Sequence, residues 1–424
     1  MRSLDFGRYA LCSCMAAAVL AGCGASQPPI AAPGAMPQSS AALGQDSQKS
    51  PIRHIVLLVQ ERRTFNDLFA TTKVGCEIIG RGQHAKHVKV RLKEVDLAGT
   101  PDLLDTYHSY VTAYDHGTMC GFNLIGGRFE YRYEYVKPAQ IRPYRVAAAE
   151  YAIADRMFQT QGGGDFTAHQ DLIRGGTEIS SRVSIIDYPS AEPWGCPSEV
   201  GSKTNLITIH LRYEYHGGPF PCFTYETLQT LLDAHSVSWK YYTPSFRRAP
   251  NWDGFLAIQA VWDNPRERSH IVNPETTIFR DIAKGRLPSM SWVAPDADNS
   301  DSPGYRVDDG PEWVASVVNA IGNSSYWDST AIIVVWDDWG GFYDPIPPPF
   351  IDQQGGAGFR VPMIVVSPYV PQEEVSHTTY GFGSIVRFIE DTWKLGRLGT
   401  TDEASASIGD MLNFNQKPRR FVRI

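Results

Sequence analysis

The chain has 424 residues, 42% of them hydrophobic and 12% aromatic, with 46 acidic against 39 basic residues and a formal net charge of −7. That much apolar material in that length can build a large core, so general disorder is excluded. The charge balance lacks the basic excess that marks nucleic-acid binders, so no nucleic-acid partner is expected. No uncharged apolar run beyond the N-terminus reaches the ~20 residues of a membrane span, which excludes a multi-span membrane protein.

The N-terminus reads as an address. Arg2 and Arg8 flank a short basic start, and an apolar stretch runs from Tyr9 to Leu20. It is too short for a transmembrane helix and suits a signal-peptide core. It ends Leu20-Ala21-Gly22-Cys23, which resembles the bacterial lipobox, in which the Cys is lipidated and becomes the mature N-terminus. The alternative is an ordinary signal peptide with an incidental Cys. Residues 1–22 are thus expected to be a signal peptide, and a lipid anchor on Cys23 makes the membrane a partner. Gly24 after the Cys, not Asp, points by lipoprotein sorting rules to the outer membrane or cell surface. From 23 to 50 the chain is Ala, Pro, Ser, Gly and Gln with almost no charge, which cannot bury a core and reads as a flexible tether.

Four further cysteines, Cys76, Cys120, Cys196 and Cys222, suit an exported protein in a disulfide-permissive compartment. Three connectivities exist. Cys76–Cys120 with Cys196–Cys222 is favoured, because each pair brackets a Gly- and Tyr-rich irregular segment. A four-cysteine zinc site is the rival, but no C-x2-C spacing supports it.

From residue 51 the chain alternates. Apolar runs bounded by polar turns predict buried strands at 53–59, 183–187, 237–242, 290–293, 331–336 and 361–366. Helical patterns lie at 144–155, 225–235, 275–284, 311–321 and 383–393, with Thr224 and Asp309 placed as N-caps. The segment from Thr71 to Leu124 reads as an irregular insertion. The alternation predicts one α/β domain, 51–424, with a mostly parallel sheet and helices on both faces, carrying its ligand at the carboxyl ends of strands.

Those strand ends are chemically loaded. The first predicted strand runs into Gln60-Glu61-Arg62-Arg63-Thr64-Phe65, and the fifth into Trp336-Asp337-Asp338-Trp339-Gly340-Gly341-Phe342-Tyr343-Asp344. Adjacent carboxylates followed by Gly-Gly are costly to bury without a cation, either a hard divalent metal or an arginine. A solvated acidic turn is the plainer reading. The run Gly162-Gly163-Gly164 can offer backbone N–H groups to a phosphate at a helix start, though a bare glycine run is weak evidence.

These segments, with Gly162–Gln170, Asn299–Pro303, Phe359–Tyr369 and Ser376–Trp393, resemble the bacterial phosphoesterases that include non-haemolytic phospholipase C and an acid phosphatase. That family is related to the alkaline phosphatase superfamily, and the resemblance covers about residues 51–424. It implies an alkaline phosphatase-like sandwich and an exported phosphoric-ester hydrolase. It also implies a divalent metal held by a Glu-Asn pair and an acidic pair, and a Ser or Thr hydroxyl that attacks phosphorus. The implied ligand is a phosphate-ester small molecule or a phospholipid headgroup.

Carried over position by position, the pattern is broken where the chemistry lies. Glu61, Asp337 and Asp338 stand at metal-ligand positions, and His169 and His377 are retained as catalytic candidates. Arg62 replaces the ligand Asn, Asp165 replaces the nucleophilic Ser or Thr, and Ser302 and Pro345 stand where relatives show His. Arg has donors only and cannot ligate a metal. Thr167 carries a hydroxyl two residues from the nucleophile position and is a secondary candidate, while Gly163, Gly164 and Arg62 are candidates for binding substrate. The exchanges fit one another if Arg62 takes the metal's place, held by Asp165 with Asp337, Asp338 or Glu61. The metal is then expected to be weakly held or absent, and the ordinary turnover impaired or lost. Two alternatives stand beside this reading: an active hydrolase with an altered metal site built from Glu61, Asp165, Asp337 and Asp338, and an anchored binding or scaffolding protein.

Overall fold

Ile55 to Val59 are buried on both faces of their strand, as a central strand of a parallel sheet requires. The computed structural model describes residues 50–244, 252–349 and 357–424. The expected signal peptide and, apart from Ser50, the expected tether lie outside them.

The main sheet has eight strands: β1 (His54–Gln60), β2 (Ala152–Ala154), β3 (Trp239–Tyr242), β4 (Ile271–Val272), β5 (Met290–Val293), β6 (Thr330–Trp336), β7 (Met363–Val366) and β8 (Glu374–Ser376). Their order is β4-β3-β5-β1-β6-β7-β2-β8. Only β7 runs against its neighbours; every other pairing in the sheet is parallel. Trp292 donates its indole N–H to the Leu172 carbonyl of the helix Asp165–Arg174, while the Trp336 ring meets Tyr144 of the helix Arg142–Glu150 edge-on. The β5-β1-β6 register and the two-residue alternation of side chains put these two tryptophans on opposite faces, so helices cover both sides. The expected α/β class is present.

Several elements differ from expectation. The predicted helix over 144–155 ends at Glu150, and Ala152–Ala154 forms β2. Three residues are too few for a periodicity to register. The strand predicted at 183–187 is real (Val183–Ile186) but belongs to a separate four-stranded antiparallel sheet with Glu178–Ser180, Asn205–Thr208 and Tyr213–Glu214. The helix predicted from Tyr225 begins at Leu228 with Thr227, not Thr224, as its N-cap. Asp309 is the N-cap of the helix Gly310–Gly322, although its side chain makes no capping bond. The supposedly irregular segment from Thr71 contains an antiparallel hairpin, Val74–Ile79 with Lys86–Arg91, and a helix, Tyr107–Tyr114. The two favoured disulfides are formed, Cys76–Cys120 and Cys196–Cys222. No helix among the described residues is long and apolar enough to cross a membrane.

Candidate active site

The parallel pairing of β1 with β6 sets Gln60 opposite Trp336, so the next residues, Glu61 and Asp337, emerge side by side at the carboxyl end of the sheet. The Asp337 N–H donates to the Gln60 carbonyl at 2.9 Å, which carries the ladder one step past the strand. Alternation then points Glu61 and Asp337 to the Trp292 face, where the helix Asp165–Arg174 packs. On that helix Asp165 and His169 are four residues apart and share a face.

The result is two adjoining groups of buried ligand-type side chains. Glu61, His169 and Asp337 form one, and Asp105, Asp165 and Asp338 form the other; within each, one ligand atom per residue lies within 4.8 Å of the rest. In the first, His169 Nε2 stands 3.3 Å from Glu61 Oε1 and 3.8 Å from Asp337 Oδ2. Its other ring nitrogen is 3.3 Å from the Tyr241 hydroxyl, which donates to the Trp252 carbonyl. That leaves Nδ1 as the donor and Nε2 with its lone pair toward the carboxylates. Burial lowers the His169 pKa against the opposing pull of Asp337, Asp165 and Asp253, so the ring is neutral at neutral pH. Burial also pushes Glu61 and Asp337 well above the carboxylate range; the charge of Asp165 adds to the rise at both, and Glu61 adds to it at Asp337. Both Glu61 oxygens, His169 Nε2 and Asp337 Oδ2 are buried without a hydrogen-bond partner. Carboxylates and a neutral imidazole with orphaned lone pairs fit a divalent cation.

The second group already holds a cation. Arg62 Nη2 lies 2.7 Å from Asp105 Oδ2, Nη1 lies 2.6 Å from Asp102 Oδ1, and Nε lies 3.6 Å from Asp165 Oδ1. Nη2 also donates to the Leu103 carbonyl at 2.8 Å. The Arg62 guanidinium is 10% exposed, whereas Asp102 is 71% exposed and marks the solvent side. Asp165 Oδ2 accepts from the Trp252 indole N–H at 3.3 Å, and Asp105 Oδ1 accepts from the Tyr188 hydroxyl at 2.8 Å. Burial raises Asp105 to about 6 despite Arg62, and holds Asp338 well above the carboxylate range, with Asp337, Asp105 and Asp165 all adding repulsion.

The expected Arg62–Asp165 approach is therefore present, but the other expected partners are not. The Arg62 side chain is paired with Asp102 and Asp105; only its backbone N–H reaches Asp337, donating to Oδ1 at 2.8 Å. The β1–β6 ladder, extended one step past Trp336, carries Asp337 onto the His169 face, and the insertion brings its own acids to Arg62. Neither Asp102 nor Asp105 belongs to a motif, and Asp105 is placed by tertiary contacts alone: the Trp339 indole N–H donates to its carbonyl at 3.1 Å.

Arg62 has φ 62°, in the left-handed region. Outside Gly and Asn, a side chain holds that conformation at a cost of roughly 1–2 kcal/mol, so Arg62 spends backbone energy to place its cation. Gly340 is required by the same turn: a Cβ there would stand 1.9 Å from the Arg62 carbonyl oxygen. A Cβ on Gly164 would likewise meet the Tyr188 hydroxyl at 1.9 Å, so Gly164 makes room for the side chain that holds Asp105.

Other predicted residues stay outside the two groups. The Thr167 hydroxyl donates to the Gly164 carbonyl at 3.1 Å within its own helical turn. Gly163 is buried, and its carbonyl accepts from Gln159 at 3.0 Å. His377 is 75% exposed and pairs with Asp155 at 2.8 Å, past β8 at the far edge of the sheet from β1. Ser302 is buried in the loop that Gln60 fastens through the Asn299 carbonyl and the Asp301 N–H, and Pro345 is half-buried. Motif letters that looked reactive are partly structural. Asp344 pairs with Arg360 at 3.1 Å and accepts the Asn66 N–H. Arg63 is fully buried and pairs with Asp67 at 3.0 Å.

A layered α/β sheet with carboxylates and a histidine gathered at its strand ends defines the class to which comparison with known proteins assigns the chain. Residues 52–396 match the family model described as Phosphoesterase family, and the chain belongs to that family. It is similar to Phospholipase C B of Mycobacterium tuberculosis, 27% identical over 47% of this chain and 45% of that protein. It is also similar to Non-hemolytic phospholipase C of Pseudomonas aeruginosa, 24% identical over 85% of this chain and 56% of that protein. Non-specific phospholipase C6 of Arabidopsis thaliana is 24% identical over 90% of this chain and 76% of that protein. The chain thus spans about half the length of the first two of these relatives. Among solved structures, it resembles a protein in the alkaline phosphatase superfamily from Vibrio parahaemolyticus, with TM-score 0.38 and 10% identity over 86% of this chain and 72% of that one.

Proposed function

We propose that this phosphoesterase-family chain keeps a scaffold and one divalent-cation site, Glu61, His169 and Asp337, while its phosphoryl-transfer step is weak or lost. Asp165 carries the reading. It stands where the resemblance places the attacking hydroxyl, and its two oxygens face Arg62 Nε at 3.6 Å and the Trp252 indole N–H at 3.3 Å. An attacking group must be free to reach phosphorus, and this one is engaged from both sides. Thr167 is committed to its own helix. A divalent ion bound by the first group would act as a Lewis acid on a phosphoryl oxygen. Arg62 supplies the fixed positive charge on the other side.

By the names of its relatives, the ligand class is a phosphate ester, including a phospholipid headgroup. We place the protein outside the cytoplasm, cleaved after residue 22, anchored by a lipid on Cys23 and tethered through residues 23–50 to the outer membrane or cell surface. The two disulfides support an oxidising compartment.

The experiment is turnover of a chromogenic phosphate ester with Mg²⁺, Mn²⁺, Ca²⁺ and Zn²⁺ added in turn, on the native chain and on Arg62→Asn/Asp165→Ser/Ser302→His/Pro345→His. The reading expects negligible native turnover, metal affinity that rises with the first two changes, and activity with all four. Robust metal-dependent turnover by the native chain, abolished in Asp337→Asn, overturns it and leaves the active altered-metal hydrolase.

A further inference from the structure

The hairpin Val74–Ile79/Lys86–Arg91 is used by nothing in the site, yet it is strongly basic. From Thr71 to Lys93 there are six Lys or Arg and one acidic residue, Glu77, in a protein whose net charge is −7. Arg81, Lys86, Lys89 and Arg91 are exposed, and none of them has a carboxylate partner within 4.0 Å among the described residues. Apolar side chains stand among these charges. Val74 and Ile79 of the hairpin are each 48% exposed, and Leu124 beside it is 53% exposed. The Cys76–Cys120 disulfide and the two bonds between Asn123 and the Ile78 backbone fasten the hairpin to the segment that carries Leu124. The register sets Val74, Lys89 and Arg91 on one face of the hairpin and Ile79 and Lys86 on the other, so the hairpin carries basic charge beside an exposed aliphatic group on both faces.

We propose that this hairpin docks the protein on an anionic phospholipid surface. The charge complementarity is direct: unpaired Lys and Arg gain from the negative potential of such a surface within a Debye length. The aliphatic residues decide the partner. Val, Ile and Leu gain nothing from a nucleic-acid backbone, where stacking side chains are the usual complement, but they gain by entering the boundary between headgroups and acyl chains. Lys and Arg stems lie along such apolar surface while their charges stay with the headgroups. The inference stands independently of whether the site turns over.

The test uses the full chain carrying Cys23→Ser, so that no lipid anchor contributes, and vesicles of phosphatidylcholine with or without phosphatidylglycerol. Sedimentation should show binding to the anionic vesicles only, weakened by salt. Arg81→Gln/Lys86→Gln/Lys89→Gln/Arg91→Gln should lower the partition coefficient at least about 100-fold, while the charge-matched control Arg266→Gln/Arg280→Gln/Lys284→Gln/Arg286→Gln stays within about threefold. Val74→Ser/Ile79→Ser should weaken the binding that survives high salt. On the unaltered hairpin, Lys86 and Lys89 should be protected from an amine-acylating reagent by anionic vesicles, read by mass spectrometry, which needs no variant to fold. No binding to anionic vesicles, an equal loss in the control, or unprotected Lys86 and Lys89 on bound protein overturns the proposal. So does salt-sensitive binding to a DNA duplex without binding to vesicles.

Discussion

The two acidic groups at the carboxyl end of the sheet are built from the same residue types and lie against the same helix, yet they are balanced in different ways. In the group of Asp105, Asp165 and Asp338, the Arg62 guanidinium approaches Asp105 to 2.7 Å and Asp165 to 3.6 Å. Among the described residues no Lys or Arg side chain pairs with Glu61 or Asp337, and the orphaned buried oxygens there, unlike those of Asp105 and Asp165, have no guanidinium beside them. Carboxylates cannot be buried charged and uncompensated, so Arg62 offsets part of the negative charge around Asp105 and Asp165, whereas the Glu61–His169–Asp337 group must take up protons or an ion. What separates them is one residue at the end of β1: its backbone N–H serves the Asp337 side, and its side chain crosses to the insertion.

Removing that residue's charge should break the contrast most severely. Arg62→Met leaves Asp105 and Asp165 buried without their cation, and should cost about 3–5 kcal/mol of unfolding free energy at neutral pH. The loss should shrink on acidification, as the freed carboxylates protonate. A denaturant titration at two pH values measures both, and an equal loss at the two would contradict the role given to Arg62.

The next effect belongs to the other group. A divalent ion at about 100-fold its dissociation constant should stabilise the native chain by roughly 2.7 kcal/mol. This should appear as an upward shift in melting temperature that His169→Ala and Asp337→Asn each abolish. Asp105→Asn should leave the shift in place, since Asp105 lies with Arg62.

A smaller effect is one of pH. Burial pushes the Asp105 carboxyl up to about 6 in the folded protein, above its ordinary value of 3.8. The folded form therefore binds the extra proton in that window. The stability it contributes is full below about 4 and is lost as pH rises through about 6, by roughly 1–3 kcal/mol at 1.36 kcal/mol per pKa unit. Asp105→Asn should flatten that part of the stability–pH curve. An unchanged slope would mean that burial at Asp105 is not what the curve reports.

The smallest belongs to Asp102. Its contact with Arg62 is as short as that of Asp105, 2.6 Å, but the side chain is 71% exposed and water screens the pair. Asp102→Asn should cost no more than about 0.5–1 kcal/mol, by thermal unfolding. A loss as large as that of Arg62→Met would make Asp102, not the buried acids, the anchor of the guanidinium.

Much of this was legible in the sequence wherever local pattern carries the signal. The long apolar runs of β1, β5 and β6 located the central strands, and the residues at their ends located Glu61, Asp337 and Asp338. The four-residue spacing of Asp165 and His169 set both on one helical face. The short strands β2, β4 and β8 were not legible, because two or three residues hold no period. Asp105, Tyr188 and Trp252 were not either: each reaches the site through contacts between segments far apart in the chain. The arginine at the end of β1 could be read, but the direction of its side chain could not, because that depends on a left-handed turn and on acids supplied by the insertion.

The most direct measurement is the position and number of bound ions in crystals of the native chain soaked in Mn²⁺, located by anomalous scattering. The account predicts one ion, held by Glu61, His169 and Asp337, with Arg62 still between Asp105 and Asp165. An ion among Asp105, Asp165 and Asp338, with the Arg62 side chain displaced, would contradict it.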